Sequence, residues 1–137
     1  RQIRDDRGEL SLEFLADWPA RRARDYLLRF DGIGPKTAAC ILLFSFNQPI
    51  LPVDTHIHRI AIRLGLIGPR TSAEAAHAAL EAIVPQRQFY NFHILLIKLG
   101  RQICKAVRPR CHDCPLRATC PTAARLIRQG KAAGSLR

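Results

Sequence analysis

Apolar residues recur every three or four positions along most of this chain, and few runs alternate with period two, a pattern of amphipathic helices and not of strands. Proline and glycine punctuate it into segments of about ten to fifteen residues. Glu9 to Asp17 predicts a short first helix. Pro19 can open a second, with Ala23, Tyr26, Leu27 and Phe30 on an apolar face and Arg21, Arg22 and Arg24 outside it. Lys36 to Phe46 follows, apolar nearly all round and therefore expected to be buried on most sides. Asn47 to Pro52 forms a linker. From Thr55 to Leu64, Ile57, Ile60, Ala61 and Leu64 fall at i, i+3, i+4 and i+7, with Asp54 placed to cap the helix and Gly65 and Gly68 to break it. Thr71-Ser72-Ala73-Glu74 has capping-box spacing, and Ala73, Ala76, Leu80, Ile83 and Val84 then line one face as far as Pro85. Gln88 to Cys104 carries the stripe Phe89, Phe92, Leu96, Leu99 and Ile103. After Thr122 a short basic helix is expected to fade into a flexible tail, because Gly130 to Arg137 has little to bury. The expected class is all-α.

Composition narrows the partners. At 137 residues and 47% hydrophobic, the chain is long enough for a real core. Its formal net charge of +11 is spread along most of its length, which favours a polyanion, and nucleic acid ahead of membrane because no apolar run is long enough to span a bilayer. No secretion signal opens the sequence, so a cytoplasmic, nucleoid-associated protein is expected. The chain starts at Arg1 and contains no methionine, which points to a fragment.

Between two of the helical runs lies Phe30-Asp31-Gly32-Ile33-Gly34-Pro35-Lys36-Thr37. A helix, a G-x-G turn and a second helix form the sequence pattern of a helical hairpin. Its glycines let backbone approach a phosphate, and the amides of Gly32, Ile33 and Gly34, with the first turn at Thr37, are expected to point outward as donors. Such a site grips a nucleic-acid backbone without reading bases. A G-x-G turn alone is equally the mark of a plain tight hairpin; the +11 charge tips the reading toward DNA. Lys36 falls where a helix N-terminus opposes a cation by about 0.3–1 kcal/mol. It is a phosphate contact or, if its amine is held neutral, a nucleophile. The helix dipole is too weak to neutralise it, so a closed cleft and a nearby acid would have to do so. Asp54, after Pro52 at the next helix start, is the candidate acid, though a simple N-cap is an equally good use for it.

Cys104, Cys111, Cys114 and Cys120 form C-x6-C-x2-C-x5-C, with Cys40 isolated in an apolar helix. In a chain without a secretion signal this clustering argues for metal ligation over disulfides. Thiolates alone suit tetrahedral zinc or an iron–sulfur cluster. A single C-x2-C knuckle where zinc ribbons have two leans toward [4Fe–4S], and the spacing is not that of a ferredoxin. Lys105, Arg108 and Arg110 lie between the first two cysteines, a basic loop that can touch phosphates.

Taken in order, FDGIGPKTA, LPVDTHIHR and C-x6-C-x2-C-x5-C resemble the endonuclease III family of DNA glycosylases, in the iron–sulfur branch of the helix-hairpin-helix superfamily, from about Leu10 to Cys120. The resemblance implies the helix-hairpin-helix glycosylase fold, two helical lobes with a C-terminal [4Fe–4S] loop. Residues 1–48 would be part of a helical-barrel lobe with the hairpin at about 20–46, residues 49–123 the iron–sulfur lobe with its loop at 104–120, and residues 124–137 a basic tail. It implies base-excision repair by a bifunctional glycosylase and apurinic/apyrimidinic lyase acting on damaged, oxidised pyrimidines in duplex DNA, as a monomer and away from membranes. Lys36 matches the nucleophilic lysine, Asp54 the catalytic aspartate, the four cysteines the cluster ligands, and Lys105, Arg108 and Arg110 the DNA-contacting cluster loop. The competing readings are a non-catalytic DNA-binding module with a metal-stapled loop, and a monofunctional glycosylase of the same superfamily. Family members carry several helices upstream of the hairpin where this chain has only about thirty residues. The apolar faces around Ala39, Leu42, Leu43 and Phe46 are therefore expected to lack part of their cover, and this chain alone to bind DNA weakly with little or no glycosylase activity.

Overall fold

The computed structural model describes residues 2–133. Among them every regular element is helical: α1 (Gln2–Arg7), α2 (Ala20–Leu27), α3 (Pro35–Phe46), α4 (Thr55–Leu64), α5 (Ala73–Glu81), α6 (Phe89–Gln102) and α7 (Pro121–Arg128), with 3-10 turns at Glu13–Asp17, Gln86–Gln88 and Cys111–Asp113. The chain divides into two compact units, Arg1–Pro52 and Val53–Arg137.

In the first unit α2 packs on α3. Leu15, Ala23, Leu27, Ala38, Ala39 and Leu42 are at most 1% exposed and, with Tyr26 and Ile50, make the core. Each buried leucine contributes about 1.5–3 kcal/mol. The linker is tied to this core by Gln48, whose Nε2 donates to Leu15 O at 2.6 Å and Trp18 O at 3.0 Å. Over the core runs an aromatic ladder of edge-to-face contacts, Phe14 to Trp18 at 5.1 Å, Trp18 to Tyr26 at 5.6 Å and Tyr26 to Phe30 at 5.2 Å. Arg7 and Arg22 lie over the Phe14 and Trp18 rings at 4.2 and 3.9 Å.

Two expectations for this unit are corrected. The helix expected over Glu9 to Asp17 is only the 3-10 turn Glu13–Asp17, preceded by α1; Gly8 takes φ +79° and closes α1 with its N–H on Arg4 O, so the run cannot continue. Nor are Ala39, Leu42 and Leu43 left uncovered: they are 0%, 0% and 6% exposed, and Phe46 is half-buried. The large apolar side chain of α3 that does meet solvent is Phe44.

In the second unit α4 packs against α5, α6 and α7. It buries Ile57, Ile60 and Ala61, as its periodicity predicts. Gly65, at φ +76°, ends it by donating to Ala61 O and Ile62 O. Against it α6 comes so close at Gly100 that a Cβ there would sit 2.7 Å from His56 Cβ. The buried face of α6 is Phe89, His93, Leu96 and Gly100, rotated from the expected stripe; Phe92, Leu99 and Ile103 instead line an open apolar groove with Leu95 and Leu116. The α5 cap is Ser72, whose Oγ accepts from Ala75 N at 3.1 Å, one residue beyond the Thr71 start of the expected capping box. The basic segment from 124 begins as part of α7, which buries Ala123, and Ala133 N donates to Pro109 O at 2.8 Å. The last residues of the expected tail, 134–137, lie outside the described residues.

Candidate nucleic-acid interface and cysteine pocket

After α2 the chain turns through successive short bonds, Phe30 N to Leu27 O at 3.2 Å and Ile33 N to Phe30 O at 3.0 Å. Gly32 sits at φ +84°, where a side chain would be strained. Gly34 is different: its backbone is ordinary extended chain, and a Cβ there would meet nothing within 4 Å. Neither conformation nor packing within the chain requires glycine at that position. Its effect is to leave the start of α3 bare, with no side-chain cap. Pro35 at the first helical position has no N–H to satisfy, and the first-turn amides of Lys36 and Thr37 have no acceptor inside the helix. Both residues are exposed. One expectation fails here. The Ile33 amide is spent on Phe30 O and its side chain packs on the core, so the candidate donors that remain are Gly32, Gly34, Lys36 and Thr37.

Asp54 heads α4 in the second unit. Its Oδ1 accepts from Ile57 N at 2.8 Å, a side-chain cap, and the residue is half-buried. His58 Nε2 meets Thr71 O at 2.8 Å, and His56 Nδ1 meets Arg59 Nη2 at 3.1 Å.

The four cysteines converge. Cys104 follows α6 with its N–H on Leu99 O, Cys111 opens a 3-10 turn, and Cys120 caps α7 by accepting from Ala123 N at 3.4 Å. All four line one small cavity, with Arg63, Ile103 and Leu126 among its other walls. Burial pushes the Cys111 thiol above its ordinary value, and the neighbouring Cys104, Cys114 and Cys120 push it further. Burial raises Cys114 as well. Four converging sulfurs, with the Cys111 and Cys114 thiols held above their ordinary value, are a donor set that a bound cation or cluster would relieve. Among the described residues no three His, Cys, Asp or Glu side chains are arranged to hold a single ion.

Around this pocket Lys105 and Arg108 are exposed, and Arg108 is held at φ +46°. Arg110 is also exposed, but its Nε and Nη2 reach Asp113 Oδ2 at 2.9 and 2.8 Å, so its charge is partly offset.

No protein-family model matches the chain. Known proteins do. It is 31% identical over 133 residues to the DNA glycosylase/AP lyase ROS1 of Arabidopsis thaliana, covering 85% of this chain and 10% of that protein. It is 35% identical over 111 residues to an endonuclease III homolog of Encephalitozoon cuniculi, covering 80% of this chain and 46% of that one. The fold matches that in the structure of a non-covalent endonuclease III–DNA complex with a TM-score of 0.76 and 31% identity, over 93% of this chain and 56% of that one. The chain belongs to the endonuclease III family. It has that family's helix-hairpin-helix fold, while spanning less than half the length of either curated relative.

For this endonuclease III-family chain the sequence reading missed a pair of side chains. Arg59 donates from Nε and Nη2 to Cys104 O at 3.1 and 2.9 Å. Arg63 donates from Nη1 to Cys104 Sγ at 3.2 Å and Lys105 O at 2.7 Å, and from Nη2 to Ala106 O at 2.9 Å. The two lie one turn apart on α4, and that i, i+4 spacing was the available signal.

Proposed function

We propose that this chain carries the chemistry of a bifunctional DNA glycosylase and apurinic/apyrimidinic lyase that acts on damaged, oxidised pyrimidines in duplex DNA. The observation that carries the reading is the bare start of α3: glycine in place of a cap, open first-turn amides, and Lys36 exposed beside them. A phosphate seated on those amides, with the helix dipole behind them, would hold the sugar backbone next to the lysine. The names of the relatives support the same reaction.

In this mechanism the neutral Lys36 amine attacks the sugar C1′. The C1′–N bond to the base breaks, and the base leaves with the electron pair and takes up a proton. Loss of the amine proton and opening of the sugar give a Schiff base; removal of a C2′ proton then expels the 3′ phosphate and nicks the strand. Asp54 is assigned the role of general base and offsets the positive charge that develops on the sugar, one carboxylate oxygen remaining on the α4 cap. The backbone contacts fall to Gly32, Gly34 and Thr37 at the hairpin and to Lys105, Arg108 and Arg110 at the cysteine loop, which position the duplex without reading it. Cys104, Cys111, Cys114 and Cys120 would hold a [4Fe–4S] cluster, which supplies a covalent staple for the loop and takes no part in base release.

Borohydride trapping on a duplex with an abasic site tests this. A covalent protein–DNA adduct that disappears in Lys36→Ala is the expected result, and Lys36 is exposed enough for that variant to fold. DNA binding without any adduct would overturn the enzyme in favour of the non-catalytic module. For the pocket, brown protein with iron and sulfide is expected; colourless protein with stoichiometric zinc would overturn the cluster.

A further inference from the structure

Residues 105–108, just after Cys104, have little of their own to hold them in place. Lys105, Ala106, Val107 and Arg108 are exposed, Val107 at 78%, and the segment has no regular secondary structure. Yet three successive carbonyls in it, those of Cys104, Lys105 and Ala106, are taken by guanidinium groups of α4. Arg63 goes further: the nitrogen that reaches Lys105 O also lies 3.2 Å from the Cys104 sulfur, its backbone carbonyl lies 3.4 Å from Cys120 Sγ, and its side chain lines the cysteine cavity.

We infer that Arg63, supported by Arg59, is the positioning residue of the cysteine pocket: it fixes Cys104 as a ligand and sets both how firmly a cluster is retained and how readily that cluster accepts an electron. The inference rests on the cluster reading above. A guanidinium presents its donors in a rigid fork, which is what bridging a sulfur and two carbonyls demands, and a lysine ammonium cannot reproduce it. Charge-assisted bonds are about twice as strong as neutral ones. A cation donating to a ligand sulfur favours the state with the extra electron, so it raises the reduction potential.

The test compares this chain with Arg63→Gln, which removes the charge, and Arg63→Lys, which keeps charge and loses the fork. Iron and sulfide content, the rate at which visible absorbance is lost to a chelator, and the midpoint potential at an electrode are measured on each. Arg63→Gln is expected to lose its cluster about 10–100-fold faster and to shift to a more negative potential. Arg63→Lys is expected to lose the cluster faster while its potential stays nearer the wild type. If wild type holds iron and sulfide but Arg63→Gln matches it in loss rate and potential, the positioning role is wrong and the cluster reading stands. If wild type holds no iron, the cluster reading itself is wrong and the inference falls with it. Should Arg63→Gln fail to fold, Arg63→Lys decides: cluster loss at the wild-type rate overturns the role.

Discussion

Asp54 has two duties in the proposed mechanism, and two substitutions separate them. Its Oδ1 accepts from Ile57 N at 2.8 Å and so satisfies a first-turn amide of α4. Alanine removes that acceptor, which costs about 1 kcal/mol at an N-cap, roughly a fivefold fall in the folding constant and about 4 °C in melting temperature. Asparagine keeps an acceptor at the same place and gives up only the charge facing the helix dipole, about 0.3–1 kcal/mol at most. As a proton acceptor asparagine is useless. Losing a positioned general base costs about 10²–10⁴ in rate, so Asp54→Asn is expected to melt near the wild type while borohydride trapping on an abasic duplex slows by that factor. Asp54→Ala is expected to lose both stability and trapping. Circular dichroism melts and trapping time courses on the three proteins provide the assay. Trapping by Asp54→Asn at the wild-type rate would refute the catalytic duty and leave the carboxylate as a cap; equal melts for Asp54→Ala and wild type would refute the cap.

Other outcomes follow from packing and charge. Gly100→Ala would place a Cβ 2.7 Å from His56 Cβ, and the α4–α6 crossing is expected to lose about 1–3 kcal/mol, read as a lower urea midpoint. Gln48→Leu leaves Trp18 O without its side-chain donor and Leu15 O with Trp18 N alone, a loss of about 1–3 kcal/mol in thermal melts if the buried carbonyl goes unpaired; an unchanged melt would show that water replaces the amide. DNA affinity is expected to fall with salt at a log–log slope of about −0.9 per phosphate neutralised, and Lys105→Ala to flatten it by about one contact without changing sequence preference.

The sequence made some elements plain for local reasons. Helix α4 matches its expected bounds, Thr55 to Leu64, because a strong cap, strict periodicity and a left-handed glycine all act within a few residues. The hairpin was legible from its glycines, and the all-helical class from periodicity. What escaped depends on contacts distant in sequence. The face of α6 was ambiguous because Phe92, Leu95 and Leu99 are as apolar as the Phe89, Leu96 side that is buried. Ala39 and Leu42 were expected to lack part of their cover, yet the first unit buries them with its own α2 and the Ile50 end of the linker. Arg59 and Arg63 drew no role from the sequence, because their partners are loop carbonyls more than forty residues away. The Ile33 amide looked like a free donor because a turn's internal bond cannot be told from spacing alone.

The aromatic ladder gives the protein a reporter. Trp18 is the chain's one tryptophan, with Phe14 and Tyr26 edge-on to it and Arg22 above its ring, and all of these belong to the unit ending at Pro52. Its fluorescence therefore follows the melting of that unit. The cysteine pocket lies wholly in the unit from Val53 onward, where an iron chromophore would absorb in the visible. Ultraviolet emission and visible absorbance from a single cuvette can thus ask whether the hairpin and the cysteine pocket come apart together or one before the other.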